Sequence, residues 1–240
     1  MELFNRGEAV TAEQEASMSK TFLANVFSYM FAALAISGVM AWWFSSSAEM
    51  ISLLYNLETG GHTPLGWIVM FAPFAFILLM NFGMNKLSSA ILVVLFIAFS
   101  AIMGMSLSYI FLIYTSGSIF SVFLITSLTF GVMAVVGYTT NTDLTKFGGI
   151  LMMLLIGLVI AMVVNMFMQS SGLDYIISIV GVLIFTGLIA YETQQLKRIG
   201  SGVQYGSEAA SKLAIMGAMS LYLSFINLFL FLLRLLGDRN

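Results

Sequence analysis

The sequence predicts an all-α integral membrane protein with seven transmembrane helices and a cytoplasmic N-terminus. Three observations carry that reading. Seven runs meet or approach the ~20 apolar residues that a helix needs to cross a bilayer: 22–45, 65–82, 87–113, 118–138, 147–168, 174–192 and 212–236. Only 8% of the 240 residues are charged, where a soluble domain carries roughly 25%. Finally, Lys and Arg gather on one side of the runs.

Residues 1–20 are polar, with Glu2, Glu8, Glu13 and Glu15 against Arg6 and Lys20. They lack the basic start and short apolar core of a cleaved signal peptide. They read as a cytoplasmic tail, disordered or interfacial, ahead of one transmembrane domain at 21–240. The runs read as helices because no ten-residue alternation of a membrane barrel appears, and a helix satisfies its own backbone in lipid. In the second run, Pro73 predicts a kink, since its ring removes an N–H and clashes with the preceding turn.

The third run carries Ser100, Gly104 and Ser108 at four-residue spacing, and the fourth carries Ser127 and Gly131. Small residues so spaced let helices approach closely. Asn165 in the fifth run and Asn227 in the seventh read as interhelical hydrogen-bonding residues. The sixth run places Ser178, Gly181 and Glu192 on one face. The seventh places Gly217, Ser220, Ser224, Asn227 and Arg234 on one face at about 100° per residue, with Leu223, Phe229, Leu230 and Leu233 opposite as lipid-grade residues. Polar groups at membrane depth face other helices or water, so the seventh helix is expected at the centre.

With the N-terminus inside, the cytoplasmic side holds Arg6, Lys20, Lys86, Lys146, Lys197, Arg198 and Lys212, and the far side only Arg234 and Arg239. That bias follows the positive-inside rule. The C-terminus is then outside if the last run spans, and inside if it is re-entrant.

Several function classes drop out. There is no cysteine, which removes disulfides, thiolate catalysis and Cys-based metal sites. Net charge is −2 without basic blocks, so nucleic acid is not an expected partner. The motifs of serine hydrolases, zinc proteases, nucleotide-binding loops and EF-hands are missing, and no cofactor is implied. His62 stands alone in the first outer loop, an unpromising metal ligand.

Glu192, in "AYETQQLKR", has two readings. Placed just before Gln194, Gln195, Lys197 and Arg198, it reads as an interfacial residue kept solvated by Gln195 and Lys197. Held partly out of water, it reads as an acid that binds a cation or proton and changes state with pH. Arg234 likewise either snorkels to the outer interface or pairs with an outer acid, Asp174 or Glu58.

Four segments, "SLSYIFLIYTSGSI" (106–119), "GYTTNTDLTKFGGIL" (137–151), "AYETQQLKR" (190–198) and "SLYLSFINLFLFLLRLLG" (220–237), resemble the transmembrane Bax-inhibitor-motif family, prokaryotic branch. The resemblance implies a seventh helix surrounded by the other six, a bacterial inner membrane, and a pH-sensitive calcium leak channel or transporter. The family's proposed sensor is a pair of acids. Carried over, the first is Glu192, and the second position is Ser224, where the family commonly has Asp. Arg234 falls on a family Arg that pairs with an acid of the second helix, but residues 66–86 contain no acid. The one basic residue at the inner end of that helix is Lys86.

One carboxylate with neutral oxygens from Ser224, Asn227 and Thr193 makes a weak calcium site, since calcium takes about six to eight oxygens. The expected ion pathway is thus Glu192, Ser220, Ser224, Asn227 and Arg234, with calcium or protons as cargo rather than cofactor. The alternative that the resemblance implies is a non-transporting regulator of a membrane-anchored ATP-dependent (AAA) protease, engaged through residues 1–20, or of a stress response.

Overall fold

The computed structural model describes residues 12–56, 59, 61–204 and 206–240. Among them run α1 (Ala12–Ser45), α2 (Ala48–Leu54), α3 (Pro64–Gly83), α4 (Ser89–Leu107), α5 (Ile110–Ile113), α6 (Ser116–Thr139), α7 (Thr145–Met168), α8 (Ser171–Gly202) and α9 (Glu208–Leu236). Seven are long and apolar enough to cross a membrane: α1, α3, α4 with α5, α6, α7, α8 and α9. No strand occurs among the described residues, only isolated bridges at Tyr55–His62 and Tyr114–Arg239.

Short polar residues start these helices. Thr63, Ser88, Thr115, Ser170 and Ser207 each accept a bond from the third backbone N–H beyond them, meeting one donor that the first turn leaves open. Pro64 suits the first position of α3, where its missing N–H costs nothing. Pro73 sits inside α3.

The ends of the bundle are fixed by polar ties. At one end Ser19 Oγ donates to the Lys197 carbonyl (2.9 Å), and Glu208 accepts from Ser89 N and Oγ (2.6 and 2.8 Å). At the other, Thr115 N donates to the Asp238 carbonyl (3.0 Å) and Asn240 N to that of Ile113 (2.9 Å). α9 is one unbroken helix between these ends. Its 29 residues, at about 1.5 Å each, reach from one to the other. All three tryptophans, Trp42, Trp43 and Trp67, are exposed at the second end, where interfacial aromatic belts form.

α9 is the most buried span. In its apolar window 72% of residues are buried, against 11% to 44% in the other six. It packs against α1, α4, α6 and α8, while α3 joins mainly through α4 and α7 through α8. Phe229 and Leu233, read from sequence as lipid-facing, are 5% and 1% exposed. A helix enclosed on most sides keeps its apolar residues inside as well.

Three other expectations change. α8 continues to Gly202, ten residues past the apolar run, because Gln194, Leu196 and Gly200 are buried against neighbours. The polar segment 1–20 is helical from Ala12 onward, and residues 1–11 lie outside the described residues. The small pair Ser127 and Gly131 on α6 makes no close approach: a Cβ at Gly131 would meet nothing within 4 Å. α6 comes closest at Gly137, against the Ala190 carbonyl on α8. On α4 the expected stripe does pack, with Ser100 and Ser108 buried and Gly104 against the Ser37 backbone of α1.

Candidate functional site

The site lies on the seam between antiparallel α8 and α9. Glu192 is ten residues short of the end of α8, about 15 Å along the helix, and is partly buried. Its Oε1 accepts from Ser220 Oγ at 2.6 Å and its Oε2 from Ser224 Oγ at 2.7 Å. Both donors come from α9, one turn apart, so one carboxylate bridges two successive turns. Such charge-assisted bonds are stronger than neutral ones. One turn nearer the lysine-rich end, Leu196 sits on Gly217, where a larger residue would displace it.

The solvating partners expected for Glu192 point elsewhere. Lys197 Nζ donates to the Tyr138 carbonyl at 2.8 Å and lies 4.8 Å from that ring centre. Gln195 is exposed. Arg198 pairs with Asp143 at 2.7 Å, and Lys212 with Glu208 at 3.8 Å. Among the described residues no cation forms an ion pair with Glu192.

The segments 137–151 and 190–198 are joined by contacts not foreseen from the sequence. Gln194 Oε1 accepts from Leu144 N and its Nε2 donates to the Thr142 carbonyl, both at 2.8 Å. Arg198 also donates to Thr145 Oγ1 at 2.7 Å. The end of α8 thus clamps the α6–α7 loop by its backbone. Hydrogen bonds from Thr145 and Arg198 hold the Asp143 carboxyl well below the usual carboxylate range. The signal was the run of side-chain donors in "TQQLKR" facing an unpaired loop.

Three of the five expected pathway residues meet: Glu192, Ser220 and Ser224. Asn227 instead donates to the Leu223 carbonyl of its own helix at 2.8 Å, and Asn165 accepts from Ser170 N at 3.1 Å just beyond its helix. Among the described residues neither forms the expected interhelical bond, because backbone groups within reach along the same chain compete for short polar side chains. Thr193 bonds back to the Ile189 carbonyl at 2.7 Å and takes no part with Glu192. Arg234 pairs with Asp174 of α8 at 3.4 Å, and Glu58 lies outside the described residues. Lys86 is exposed.

A second buried network ties α1, α4 and α9. Ser37 Oγ lies 2.7 Å from Tyr222 Oη and donates to the Ser100 carbonyl at 2.7 Å. It anchors the turn of α9 between Ser220 and Ser224.

A family model described as inhibitor of apoptosis-promoting Bax1 matches residues 19–240. An uncharacterized protein of Borreliella burgdorferi is 42% identical over 95% of this chain and 96% of its own. The inner membrane protein YbhL of Escherichia coli is 38% identical over the full length of both chains. An uncharacterized protein of Rickettsia prowazekii is 40% identical over 92% of this chain and 91% of its own.

Proposed function

This chain belongs to the family of inhibitors of apoptosis-promoting Bax1, and from that premise we propose a pH-sensitive cation leak pathway, calcium the expected cargo, with Glu192 its sensor acid. Its setting is the bacterial inner membrane, where its relative YbhL is named as residing. The observation that supports the reading is the grip of two α9 hydroxyls on one α8 carboxylate.

Ionised, Glu192 accepts from both hydroxyls and draws α8 and α9 together. Protonated, one oxygen becomes a donor and a poorer acceptor, and the serine bond on that oxygen weakens or reverses. The proton state is therefore written into the α8–α9 seam. Serine does not titrate, so a lone acid with a neutral partner gives one proton step, where two neighbouring acids share protons between them. A single carboxylate among neutral oxygens suits weak, passing contact with a cation, as conduction requires.

The test is calcium flux into proteoliposomes measured across pH. The native chain is expected to leak in a pH-dependent way, and Glu192→Gln to lose that dependence. Asp143→Asn serves as control. Its folded carboxyl is depressed, so the stability it contributes is complete above the ordinary carboxylate range and is lost only as pH falls toward the folded value. The midpoint of the flux curve should not move in Asp143→Asn. Equal leaks from native and Glu192→Gln protein at every pH would refute the sensor role.

A further inference from the structure

Between Ser220 and Arg234 the residues of α9 that are not buried recur at Ser220, Leu223, Asn227, Leu230 and Arg234. The three-and-four spacing makes one seam along an otherwise enclosed helix. This seam begins at the hydroxyl that holds Glu192 Oε1 and ends at the Arg234–Asp174 pair. Midway, it borders a cavity of about 770 Å³ between α3, α4, α5 and α9.

The cavity is amphipathic in an ordered way. Its body is hydrocarbon and aromatic, with polar groups gathered at the roof and one on the α9 wall. Tyr55 and His62, joined by a backbone bridge, roof it on the tryptophan-bearing side, and Asn227 lies at its α9 wall. His62 Nδ1 is buried without a hydrogen-bond partner among the described residues. Burial pushes the Tyr55 phenol up to about 12, so at neutral pH it is a neutral donor, directed at the Ser106 carbonyl at 3.1 Å.

Two helix irregularities face the same space. Pro73, on the α3 side, leaves the Val69 carbonyl without its helical donor. On the α4 side the helix stops at Leu107 and resumes at Ile110, and Ser106 lines the cavity. The α4–α5 junction keeps right-handed helical geometry, and bonds from the Ser108, Phe111 and Leu112 N–H groups to carbonyls three residues back carry the backbone through it. Irregular backbone at membrane depth is tolerated where protein covers it or where it borders water.

We propose that this cavity is a water-filled outer vestibule, through which small hydrated cations approach Glu192 along the Asn227–Ser220 seam of α9. The proposal rests on the leak reading given above. Among the described residues the vestibule is lined by neutral oxygens and by no carboxylate, a lining that passes cations without holding them. Unsatisfied polar atoms and room for several molecules are what ordered water needs.

The chain contains no cysteine, so single cysteines can be placed without a background thiol. Asn227→Cys, Ser106→Cys and His62→Cys are each treated, in sealed vesicles, with a charged, membrane-impermeant thiol reagent applied from either side. Leu128→Cys, on the exposed face of α6, is the lipid-facing control. Only variants that elute as folded, monodisperse protein are scored, and Ser106→Cys substitutes for Asn227→Cys if that variant misfolds.

Loss of free thiol at Asn227 or Ser106, from the tryptophan-bearing side only, is expected, with Leu128→Cys unreactive. Labelling should be unchanged in a Glu192→Gln background, so it reads the vestibule whether or not the sensor reading survives. Attachment of the reagent at Asn227→Cys should abolish flux. Reaction at His62→Cys alone, or at none of the three, would mean that lipid or packed side chains fill the cavity, and overturns the proposal. Labelling that leaves flux intact overturns its place on the path.

Discussion

Ser224 stands where the family resemblance places the second acid of the proposed sensor pair, and its hydroxyl lies 2.7 Å from Glu192 Oε2. The geometry is that of a pair with one charge removed. Ser224→Asp would put two carboxylates within hydrogen-bond reach, and two such groups do not easily ionise together. Their titration becomes a property of the pair, in two macroscopic steps. The variant is expected to leak with a steeper or two-step pH profile, read by the same calcium flux assay. A profile that overlays the native one would show that the two positions do not share a proton. At this scale the sequence told part of the story. Residue spacing put Glu192 on one polar stripe and Ser220 with Ser224 on another, without saying that the two meet. It could not tell that Lys197 turns to the Tyr138 carbonyl, because a long flexible side chain reaches whichever acceptor the fold leaves unsatisfied.

Among the elements, α6 shows where a pattern of small residues misleads. Ser127 with Gly131 has the spacing of a packing motif, yet Gly131 is exposed. The buried stripe runs through Val122, Thr126, Phe130, Ala134 and Gly137, and at Gly137 it lies directly on the Ala190 backbone of α8. Small residues permit an approach without choosing the partner. Gly137→Leu is expected to force α6 off α8 and destabilise the fold by about 1–3 kcal/mol, the usual cost of overpacking. Gly131→Leu should leave stability near native. Thermal denaturation in detergent compares them, and equal melting temperatures would contradict this assignment of the contact. The same limit explains α8. Hydropathy ends that run at its first charge, whereas the helix continues because Gln194 and Arg198 find partners on the α6–α7 loop.

For the whole molecule, the helix count and the up-and-down path were legible, because each apolar run meets or approaches the length that a bilayer core requires and polar breaks separate them. The interior was less so: hydropathy cannot separate a residue that faces lipid from one that faces another helix, and Leu233 and Phe229 were misplaced for that reason. What the fold adds is which ends lie together. Ser19 meets Lys197, Glu208 meets Ser89 and Arg198 meets Asp143, so the described part of α1 begins at the end where α4, α7 and α9 begin and α8 finishes. Of the eight Lys and Arg among the described residues, only Arg234 and Arg239 lie at the opposite end. Because cytoplasmic ends carry the excess of Lys and Arg, the end with Lys20, Lys86, Lys146, Lys197, Arg198 and Lys212 is expected to face the cytoplasm. The Trp67 end and the cavity beneath it are then expected to face outward. Reporter domains that are active on only one side of the membrane can check this when fused after Asn240 or inserted after Asn85. An outside-active reporter should work at Asn240 and fail at Asn85. The reverse pattern would invert the protein, and activity at both sites would mean that α9 does not span. Either result would also reassign the side from which cations reach Glu192.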